Sequence, residues 1–485
     1  MRALPLLLAA VGSALAPAVA AERPNIVLIL ADDLGWRDLR CTGSPWHDTP
    51  HLDRLAAQGM RFTQAYAPAP ICSASRAAIL TGRSPARLGF EFVVKDSGAK
   101  LPSGLPLTPP PYPRELPLSE ISVAEVLGPA GYATGFYGKW HLNQHGGSYL
   151  SWSTTHGPLQ QGFAEGAADF GSHAYGDLAR GAGEKDPLPA GDYGRDTLIE
   201  KAVSFLRAHR REPFFLYLSH YYVHDPIRTR AQWLVDKYAA RLPAGADPLR
   251  AGYAAMVETL DHLAGQVLRA LDELGLADKT LVVFTSDNGG HPRYSANGPL
   301  RGSKWNLHEA GLRVPWIVRW PGRVRAGATS DAPIIGTDLL PTFCAAAGVA
   351  LPAGVALDGR NLLPLWRGEA AADTTRELVW HFPFYHPEGA AYAKALPRIG
   401  TDDFAVSRTH PQSAIRVGSW KLHHDYEAGY AQLFDLAADP GEQRDLSAAQ
   451  PGRARDLRAR LDASLRSASA RFPTPSAPPP VSPRK

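Results

Sequence analysis

Four short apolar runs stand out in the amino-terminal two thirds of the chain. Each is bounded by polar or turn-forming residues, and each is rich in Val, Ile, Leu, Phe or Tyr. Runs of this length and composition are typical of strands that are buried on both faces of a sheet. The four predicted strands cover residues 25–30, 132–137, 214–218 and 281–285.

In the segments between these runs, the apolar residues recur with a different period. Apolar residues recur every three or four positions over 196–209 and again over 256–271, which predicts two amphipathic helices. Strands that alternate with helices in this way favour parallel pairing. We therefore predict an α/β fold with a large, mostly parallel central sheet flanked by helices.

Helix start signals support this alternation. Thr49 followed by Pro50 predicts a helix with proline at its first position, ending at Gly59. Ser122 and Glu125 have the spacing of a capping box, so a further helix is expected to begin there.

The pattern changes near residue 370, where short strands with antiparallel spacing replace the alternation. We predict a main domain over 22–370 and a smaller C-terminal α+β subdomain over 371–472, built of an antiparallel sheet plus a helix. The Pro-rich tail 473–485 is predicted to be disordered. The subdomain's expected strands are 378–384, 413–417, 420–424 and 432–435, and its expected helix is 453–465.

A second Pro-rich segment, 95–117, is long for a simple connection and is predicted to be a loop over the active site.

The N-terminus has the features of an export signal. Arg2 supplies a positive start, residues 6–15 are mostly apolar, and Ala18-Val19-Ala20 forms a small-x-small cleavage motif. We predict a signal peptide over 1–21 and a secreted or periplasmic protein. No later stretch reaches membrane-spanning length, so no membrane span is expected.

Charge and cysteine content narrow the function classes. The net charge of +4 is spread along 485 residues without a long basic run, so no nucleic-acid partner is expected. Only three cysteines occur, which excludes a disulfide-stapled scaffold and allows one disulfide at most. If Cys41 and Cys344 form a disulfide, Cys72 has no partner. An unpaired cysteine in an exported chain needs a functional explanation.

Polar side chains follow each of the four predicted strands. Because the carboxyl ends of parallel strands meet at one edge of a sheet, we expect these side chains to form a single site. The residues concerned are Asp32 and Asp33, Lys139 and His141, His220 and His224, and Asp287 and Asn288.

Two kinds of chemistry are combined in this set. Asp32, Asp33, Asp287 and Asn288 offer only oxygen donors, which suits calcium or magnesium better than zinc. The alternative is that Asp33 and Asp287 cap the turns that follow them. A second group of residues is cationic, or can become so, and would suit an anion with several oxygens, for which sulfate and phosphate esters both fit. That group is Arg76, Lys139, His141, His224 and Lys304.

Residues 71–83, ICSASRAAILTGR, resemble the signature of the sulfatase family, in which a cysteine is oxidised to Cα-formylglycine. Ala74 stands where the usual core, Cys-x-Pro-x-Arg, has proline. The resemblance covers nearly all of residues 25–348. It extends over the segments LADDLGW (30–36), GYATGFYGKWHL (131–142), FTSDNGG (284–290), PLRGSKWNLHEAGLRVP (299–315) and LFDLAADPGEQRDL (433–446).

This resemblance implies an arylsulfatase A-like, formylglycine-dependent sulfatase of the alkaline phosphatase superfamily, with Cys72 matured by the formylglycine-generating enzyme. It implies that Asp32, Asp33, Asp287 and Asn288 bind calcium, with magnesium less suited, together with the modified Cys72. By the same resemblance, Arg76 and Lys139 hold the formylglycine hydroxyl, His141 is the base of the elimination step, and His224 and Lys304 contact the sulfate.

The implied reaction converts an aryl or carbohydrate sulfate into an alcohol and inorganic sulfate. The hydrated aldehyde attacks sulfur with one hydroxyl, and the second hydroxyl later expels sulfate. Two alternatives stay open at this point: a phosphonate or phosphodiester hydrolase of the same superfamily, and a silent protein that binds sulfated glycans.

Other residues flank these motifs. Residues 381–386 are aromatic-rich and are expected to form a buried strand rather than a sugar-stacking face. The following side chains are candidates for the leaving-group pocket, with ordinary loop surface as the equal alternative: His173, Tyr175, His291, Arg293 and His308.

Overall fold

The computed structural model describes residues 23–95, 104–145, 149–179, 186–386 and 409–476. Its strands are β1 (Asn25–Ala31), β2 (Met60–Phe62), β3 (Ala65–Tyr66), β4 (Leu107–Thr108), β5 (Ala133–Gly138), β6 (Glu165–Ala167), β7 (Phe214–Ser219), β8 (Thr280–Ser286), β9 (Trp316–Arg319), β10 (Ala328–Ser330), β11 (Ile334–Ile335), β12 (Glu377–Phe382), β13 (Gln412–Val417), β14 (Trp420–Asp425), β15 (Tyr430–Asp435) and β16 (Thr474–Pro475). Its α-helices are α1 (Pro50–Gln58), α2 (Cys72–Thr81), α3 (Pro85–Leu88), α4 (Val123–Leu127), α5 (Ala174–Ala179), α6 (Thr197–Ala208), α7 (Gln232–Ala239), α8 (Leu249–Glu273), α9 (Glu309–Leu312), α10 (Leu339–Ala347), α11 (Leu363–Trp366) and α12 (Pro451–Ser467).

A sheet of eight strands forms the centre of the molecule, in the order β10-β2-β9-β8-β1-β7-β5-β6. Neighbouring strands are parallel except where β9 pairs with β2 and with β8. The four apolar runs of the sequence become β1, β5, β7 and β8, which lie side by side. The predicted α/β fold with a mostly parallel central sheet is confirmed.

The apolar character of β1 follows from its position between β8 and β7. Alternate side chains point to opposite faces of a strand, and here both faces are covered. Ile26, Leu28 and Leu30 pack in one core cluster, and Val27 and Ile29 pack in the other. Helices α2, α4, α10 and α11 contribute to the first cluster, and α1, α6 and α8 contribute to the second.

Strand register brings the carboxyl ends of the central strands together. On β1, Leu30 pairs with Ser219 at the end of β7, and Ala31 pairs with Ser286 at the end of β8. Residues that follow these three strands therefore emerge at one edge of the sheet.

A second sheet, in the order β12-β13-β14-β15, is antiparallel throughout. Helix α12 packs on one face through Leu457, Leu461 and Leu465. The other face contributes Trp380 and Phe382 to a cluster shared with the region around α2. The predicted C-terminal strands and helix are confirmed. The aromatic segment 381–386 is buried as expected, but only its first two residues belong to a strand, because β12 ends at Phe382.

One prediction for the C-terminal tail is wrong at its first residues. Thr474 and Pro475 form β16, which pairs with β4 of the Pro-rich segment 95–117. Short edge strands accept proline because only one side of the strand must donate hydrogen bonds, and here the N–H of Ser476 donates to the Pro106 carbonyl at 2.9 Å. The rest of the tail lies outside the described residues, as do the predicted signal peptide and residues 96–103.

Two further expectations concern membranes and cysteines. Among the described helices, none is both long and apolar enough to cross a membrane. Cys41, Cys72 and Cys344 are all free thiols, so the single disulfide that the sequence allowed is not formed.

Candidate active site

The predicted strand-end residues converge on one buried centre. Asp32, Asp33, Cys72 and His224 each offer one ligand atom, and these four atoms all lie within 4.8 Å of one another. Asp32 and Asp33 follow β1, His224 lies in the segment after β7, and Cys72 is the first residue of α2. The sheet therefore assembles in space what the sequence distributes over the chain.

Cys72 lies against the two aspartates of β1. Its Sγ is 3.5 Å from Oδ1 of Asp32 and 3.7 Å from Oδ1 of Asp33. Burial, reinforced by Asp287, raises the pKa of the Cys72 thiol well above its ordinary value. Since the thiolate is the reactive form of cysteine, the unmodified side chain is a poor nucleophile here. The position at the start of α2 nevertheless favours an anion.

Three cations balance the carboxylates of this centre. Nζ of Lys139 lies 2.5 Å from Asp32, and Nζ of Lys304 lies 2.6 Å from Asp33. Burial alone would raise the pKa of both aspartates. The charge of Lys139, with those of Arg76 and Lys304, outweighs burial and holds the pKa of Asp32 well below its usual range. Lys304 does the same more weakly for Asp33.

Arg76, the third cation, organises the base of the site. Its Nε donates to Oδ2 of Asp287 at 2.8 Å, and its Nη2 lies 2.8 Å from the same oxygen. Its Nη1 donates to the Lys139 carbonyl at 2.9 Å and to the Ser219 hydroxyl at 2.6 Å. Ser219 was not predicted from the sequence. Its only signal was its place at the end of β7, directly before His220.

The oxygen donors fit a hard divalent cation. Burial raises the pKa of Asp287 to about 6, with Asp32 adding to the effect and Arg76 opposing it, so the negative charge of this carboxylate is not fully compensated by its neighbours. Oδ1 of Asn288 is buried and has no hydrogen-bond partner among the described residues, while its Nδ2 donates to Asp33 at 2.8 Å. A buried acceptor without a donor costs free energy unless something fills it, and a cation coordinated by oxygens would do so.

His141 presents one ring nitrogen to a carbonyl and leaves the other free. Its Nε2 lies 3.2 Å from the Val94 carbonyl, which only accepts, so Nε2 carries the proton. Its Nδ1 is buried and has no partner among the residues that the structure describes. Burial, helped by Lys139, lowers the pKa of His141 well below its ordinary value. The ring is therefore neutral, with a free lone pair on Nδ1.

Two non-glycine residues of the site have left-handed backbone conformations. Asp33 has φ +60° and His141 has φ +59°. Such conformations cost about 1–3 kcal/mol and cluster at functional sites. Here they turn the chain sharply after β1 and after β5, which aims both side chains at the centre.

His224 and Lys304 lie together on the other side of Asp33. Nζ of Lys304 is 3.1 Å from Nε2 of His224, which lies 3.5 Å from Oδ2 of Asp33. His220, the other histidine of this segment, is buried, and its Nε2 has no hydrogen-bond partner in the described part of the chain. The geometry thus distinguishes the two histidines that the sequence offered.

The leaving-group candidates separate into two groups. His173 and Tyr175 contact His224, and His291 packs edge-on against Trp305, the neighbour of Lys304. The other two candidates are engaged elsewhere: Arg293 binds Asp247 at the surface, and His308 faces Glu442.

Comparison with known families gives matches over most of the chain. The family model described as Sulfatase matches residues 24–349. The model described as N-sulphoglucosamine sulphohydrolase, C-terminal, matches residues 303–471.

Individual proteins are similar over nearly their whole length. Steryl-sulfatase from Mus musculus is 34% identical, with 96% of this chain and 87% of that protein covered. Arylsulfatase A from Homo sapiens is 35% identical, with 89% of this chain and 85% of that protein covered. Among solved structures, Ps i-CgsB in complex with k-i-k-neocarrahexaose superposes with a TM-score of 0.72 at 27% identity, covering 92% of this chain and 93% of that one.

Proposed function

Because the chain belongs to the sulfatase family and is a sulfuric ester hydrolase, we propose that Cys72, after conversion to formylglycine, supplies its nucleophile beside a bound calcium ion. The observation that carries this proposal is the position of Cys72. It is buried against Asp32 and Asp33 in an environment that keeps a thiol protonated. Formylglycine supplies a hydrated aldehyde, which has one hydroxyl to form the sulfate ester and another to expel it.

Four oxygen-donor residues would hold the calcium ion: Asp32, Asp33, Asp287 and Asn288. Calcium supplies positive charge that stabilises an oxygen nucleophile and the sulfate oxygens. The unpartnered Oδ1 of Asn288 and the raised pKa of Asp287 support a cation at this place. Magnesium is less suited, since it demands a small octahedral set and keeps several waters.

The remaining roles belong to the chain's own cations and histidines. Lys139 and Arg76 neutralise charge around position 72 and orient the nucleophile, because both are anchored on carboxylates of the site. His141 accepts a proton on Nδ1, the nitrogen that the Val94 carbonyl leaves free. His224 and Lys304 bind the sulfate group, and a proton for the leaving oxygen comes from this pair. Such acid–base help contributes about 10²–10⁴-fold.

The substrate that we propose is an aryl or carbohydrate sulfate, carried by a small molecule or a glycan. We also propose that the formylglycine-generating enzyme is a partner during maturation, and that residues 1–21 direct export, which makes the mature protein secreted or periplasmic.

The test compares maturation with activity. The protein is produced with and without the formylglycine-generating enzyme, the tryptic peptide of residues 62–76 is analysed by mass spectrometry, and turnover of 4-nitrophenyl sulfate is measured. We expect activity to rise in proportion to the formylglycine fraction and to vanish in Cys72→Ala. Equal activity of Cys72→Ala would refute the proposal. Faster turnover of a matched 4-nitrophenyl phosphodiester would favour the phosphodiesterase alternative.

A further inference from the structure

We propose that Tyr175 is a positioning residue for this reaction, and that its hydroxyl fixes the ring of His224 so that Nε2 faces Lys304 and the sulfate. The inference rests on the proposed function, because it concerns the same site. It assigns a role to a residue of helix α5, which supplies neither the proposed nucleophile nor a proposed metal ligand.

The partners of the His224 ring determine its orientation. Nδ1 lies 2.8 Å from the Tyr175 hydroxyl, 2.8 Å from the Asp225 carbonyl and 3.0 Å from the Asp225 carboxylate. A carbonyl and a carboxylate only accept, so Nδ1 carries a proton, and the Tyr175 oxygen accepts a share of it. In the neutral ring, Nε2 then offers its lone pair to the ammonium of Lys304, 3.1 Å away.

Tyr175 is the buried member of this set. It is 6% exposed, and its ring packs against Tyr221 and Phe170 at centroid distances of 5.9 and 5.8 Å. The Asp225 side chain, by contrast, is 57% exposed, so water competes for its contact with Nδ1. The rigid, shielded hydroxyl of Tyr175 is therefore a stronger constraint on the direction of the imidazole ring than the Asp225 carboxylate.

The backbone near His224 is held independently of that hydroxyl. The Tyr222 hydroxyl donates to the Ser172 carbonyl at 3.0 Å, and Nε2 of His173 bonds the His224 carbonyl at 3.0 Å. Nδ1 of His173 accepts from the Tyr175 N–H at 3.2 Å. A Tyr175→Phe substitution keeps these bonds and the ring packing, and it removes the contact with Nδ1 together with the hydrogen bond between the Tyr175 and Tyr149 hydroxyls. The second loss is independent of His224, so it persists when His224 is replaced.

The first measurement is kcat/KM for 4-nitrophenyl sulfate in Tyr175→Phe, normalised to the formylglycine content of each preparation. We expect a loss of about five- to tenfold, the size of one hydrogen bond. Tyr221→Phe is the matched control. It lies in the same aromatic cluster, its hydroxyl has no hydrogen-bond partner within the described residues, and its activity should equal that of the wild type.

A double-mutant cycle separates positioning from a general structural role. In a His224→Ala background, adding Tyr175→Phe should change kcat/KM by less than about twofold, since the group to be positioned is absent. An equal loss in both backgrounds, or wild-type activity of Tyr175→Phe, would overturn the inference. An inactive wild-type enzyme with fully converted Cys72 would instead refute the proposed function.

Discussion

At the scale of a single residue, Asp287 connects Arg76 at the base of the site with the backbone turn that follows β1. Its Oδ2 accepts from Arg76, and its Oδ1 accepts from the backbone N–H of Asp33 at 3.1 Å. One carboxylate thus links the base of the site to the sharp turn after β1. Its pKa is raised by burial to about 6, so this carboxylate gains most from an added positive charge.

We expect Asp287→Asn to weaken calcium binding, because it removes a charged oxygen ligand while keeping the side-chain shape. The calcium concentration for half-maximal activity after chelation should rise at least about tenfold. Asp38→Asn is the matched control. Asp38 is equally buried, but the N–H groups of Gly35 and Ala296 and the hydroxyl of Tyr253 already bond its oxygens. An unchanged calcium dependence in Asp287→Asn would contradict the assignment of this ligand.

The substitution of Ala74 for the family's proline also has a local explanation. The first hydrogen bond of α2 runs from the Ser75 N–H to the Ile71 carbonyl at 3.1 Å, so the N–H of Ala74 has no role in the helix. Proline is tolerated at such first-turn positions, and so is alanine. Either residue is therefore compatible with the backbone that presents Cys72 at the start of α2.

The sequence predicted which residues lie in the site better than it predicted their hydrogen-bond partners. Strand-end position identified the aspartates, lysine and histidines, because parallel strands deliver their carboxyl ends to one edge. Ser219 and the Val94 carbonyl escaped prediction for a physical reason. A serine that ends a strand and a backbone carbonyl of a loop have no distinguishing composition, and only tertiary contact reveals their partners. The roles assigned to the site residues stay predictions.

At the scale of elements, the start of α1 shows how a long-range contact replaces a local signal. The sequence predicted this helix from Thr49 and Pro50, and its bounds are confirmed. The Thr49 hydroxyl, however, bonds Asp53 and does not cap the helix. The first-turn N–H groups of His51 and Leu52 donate instead to Asp261 of α8, at 3.1 and 2.7 Å.

Asp261 makes this junction between two helices sensitive to pH. Burial raises its pKa from the ordinary 3.8 to about 7, although the two N–H bonds oppose the shift. A folded pKa above the unfolded one means that the folded state binds the extra proton between these values. The contribution of the group to stability is therefore greatest below 3.8 and is lost as pH rises through about 7.

We accordingly expect wild type to lose stability relative to Asp261→Asn when the pH rises from about 5 to 8, by about 1–3 kcal/mol. Denaturant unfolding of both proteins at the two pH values measures the difference. The Asn side chain retains an oxygen that accepts from the N–H groups of α1, but it does not titrate. The free energy of unfolding of Asp261→Asn therefore lacks the pH-dependent contribution of Asp261. A constant difference between the two proteins would show that Asp261 keeps an ordinary pKa.

At the scale of the whole molecule, a buried charge network joins the small sheet to the catalytic region. Nζ of Lys421 on β14 lies 3.0 Å from Glu309 of α9 and 3.0 Å from Glu442, and all three residues are fully buried. Glu442 also accepts from the backbone N–H of Glu309 at 2.7 Å. Helix α9 directly follows the loop that carries Lys304. Through its contacts with Glu309, the small sheet therefore braces this loop, which means that it holds the loop in position.

We expect Lys421→Met to destabilise the protein by about 3–5 kcal/mol, since it leaves two buried carboxylates without their shared cation. Lys201→Met is the matched control, because Lys201 binds Asp169 at 2.6 Å on the surface, where its side chain is 49% exposed. That change should cost less than about 1 kcal/mol. Midpoints of denaturant unfolding give both values, and similar losses in the two variants would count against a bracing role for the network.

The large-scale organisation was only partly visible in the sequence. Hydrophobic period predicted both sheets, since each strand's pattern reflects the faces that it buries. The pairing of β16 with β4 and the Lys421 network join segments that are far apart in the chain and have no local signature. The predicted domain boundary near residue 370 stays a prediction.

The order of strands in the central sheet also determines how long after the synthesis of Cys72 the sheet around β1 can be completed. Strand β1 is made first, yet its neighbours are β7 and β8. At a synthesis rate of about 5–20 residues per second, roughly 10 to 40 s pass between the appearance of Cys72 and the end of β8. Cys72 is 1% exposed once the fold is complete. The modification of Cys72 that we propose therefore has to take place before β7 and β8 pair with β1 and the fold closes over this thiol.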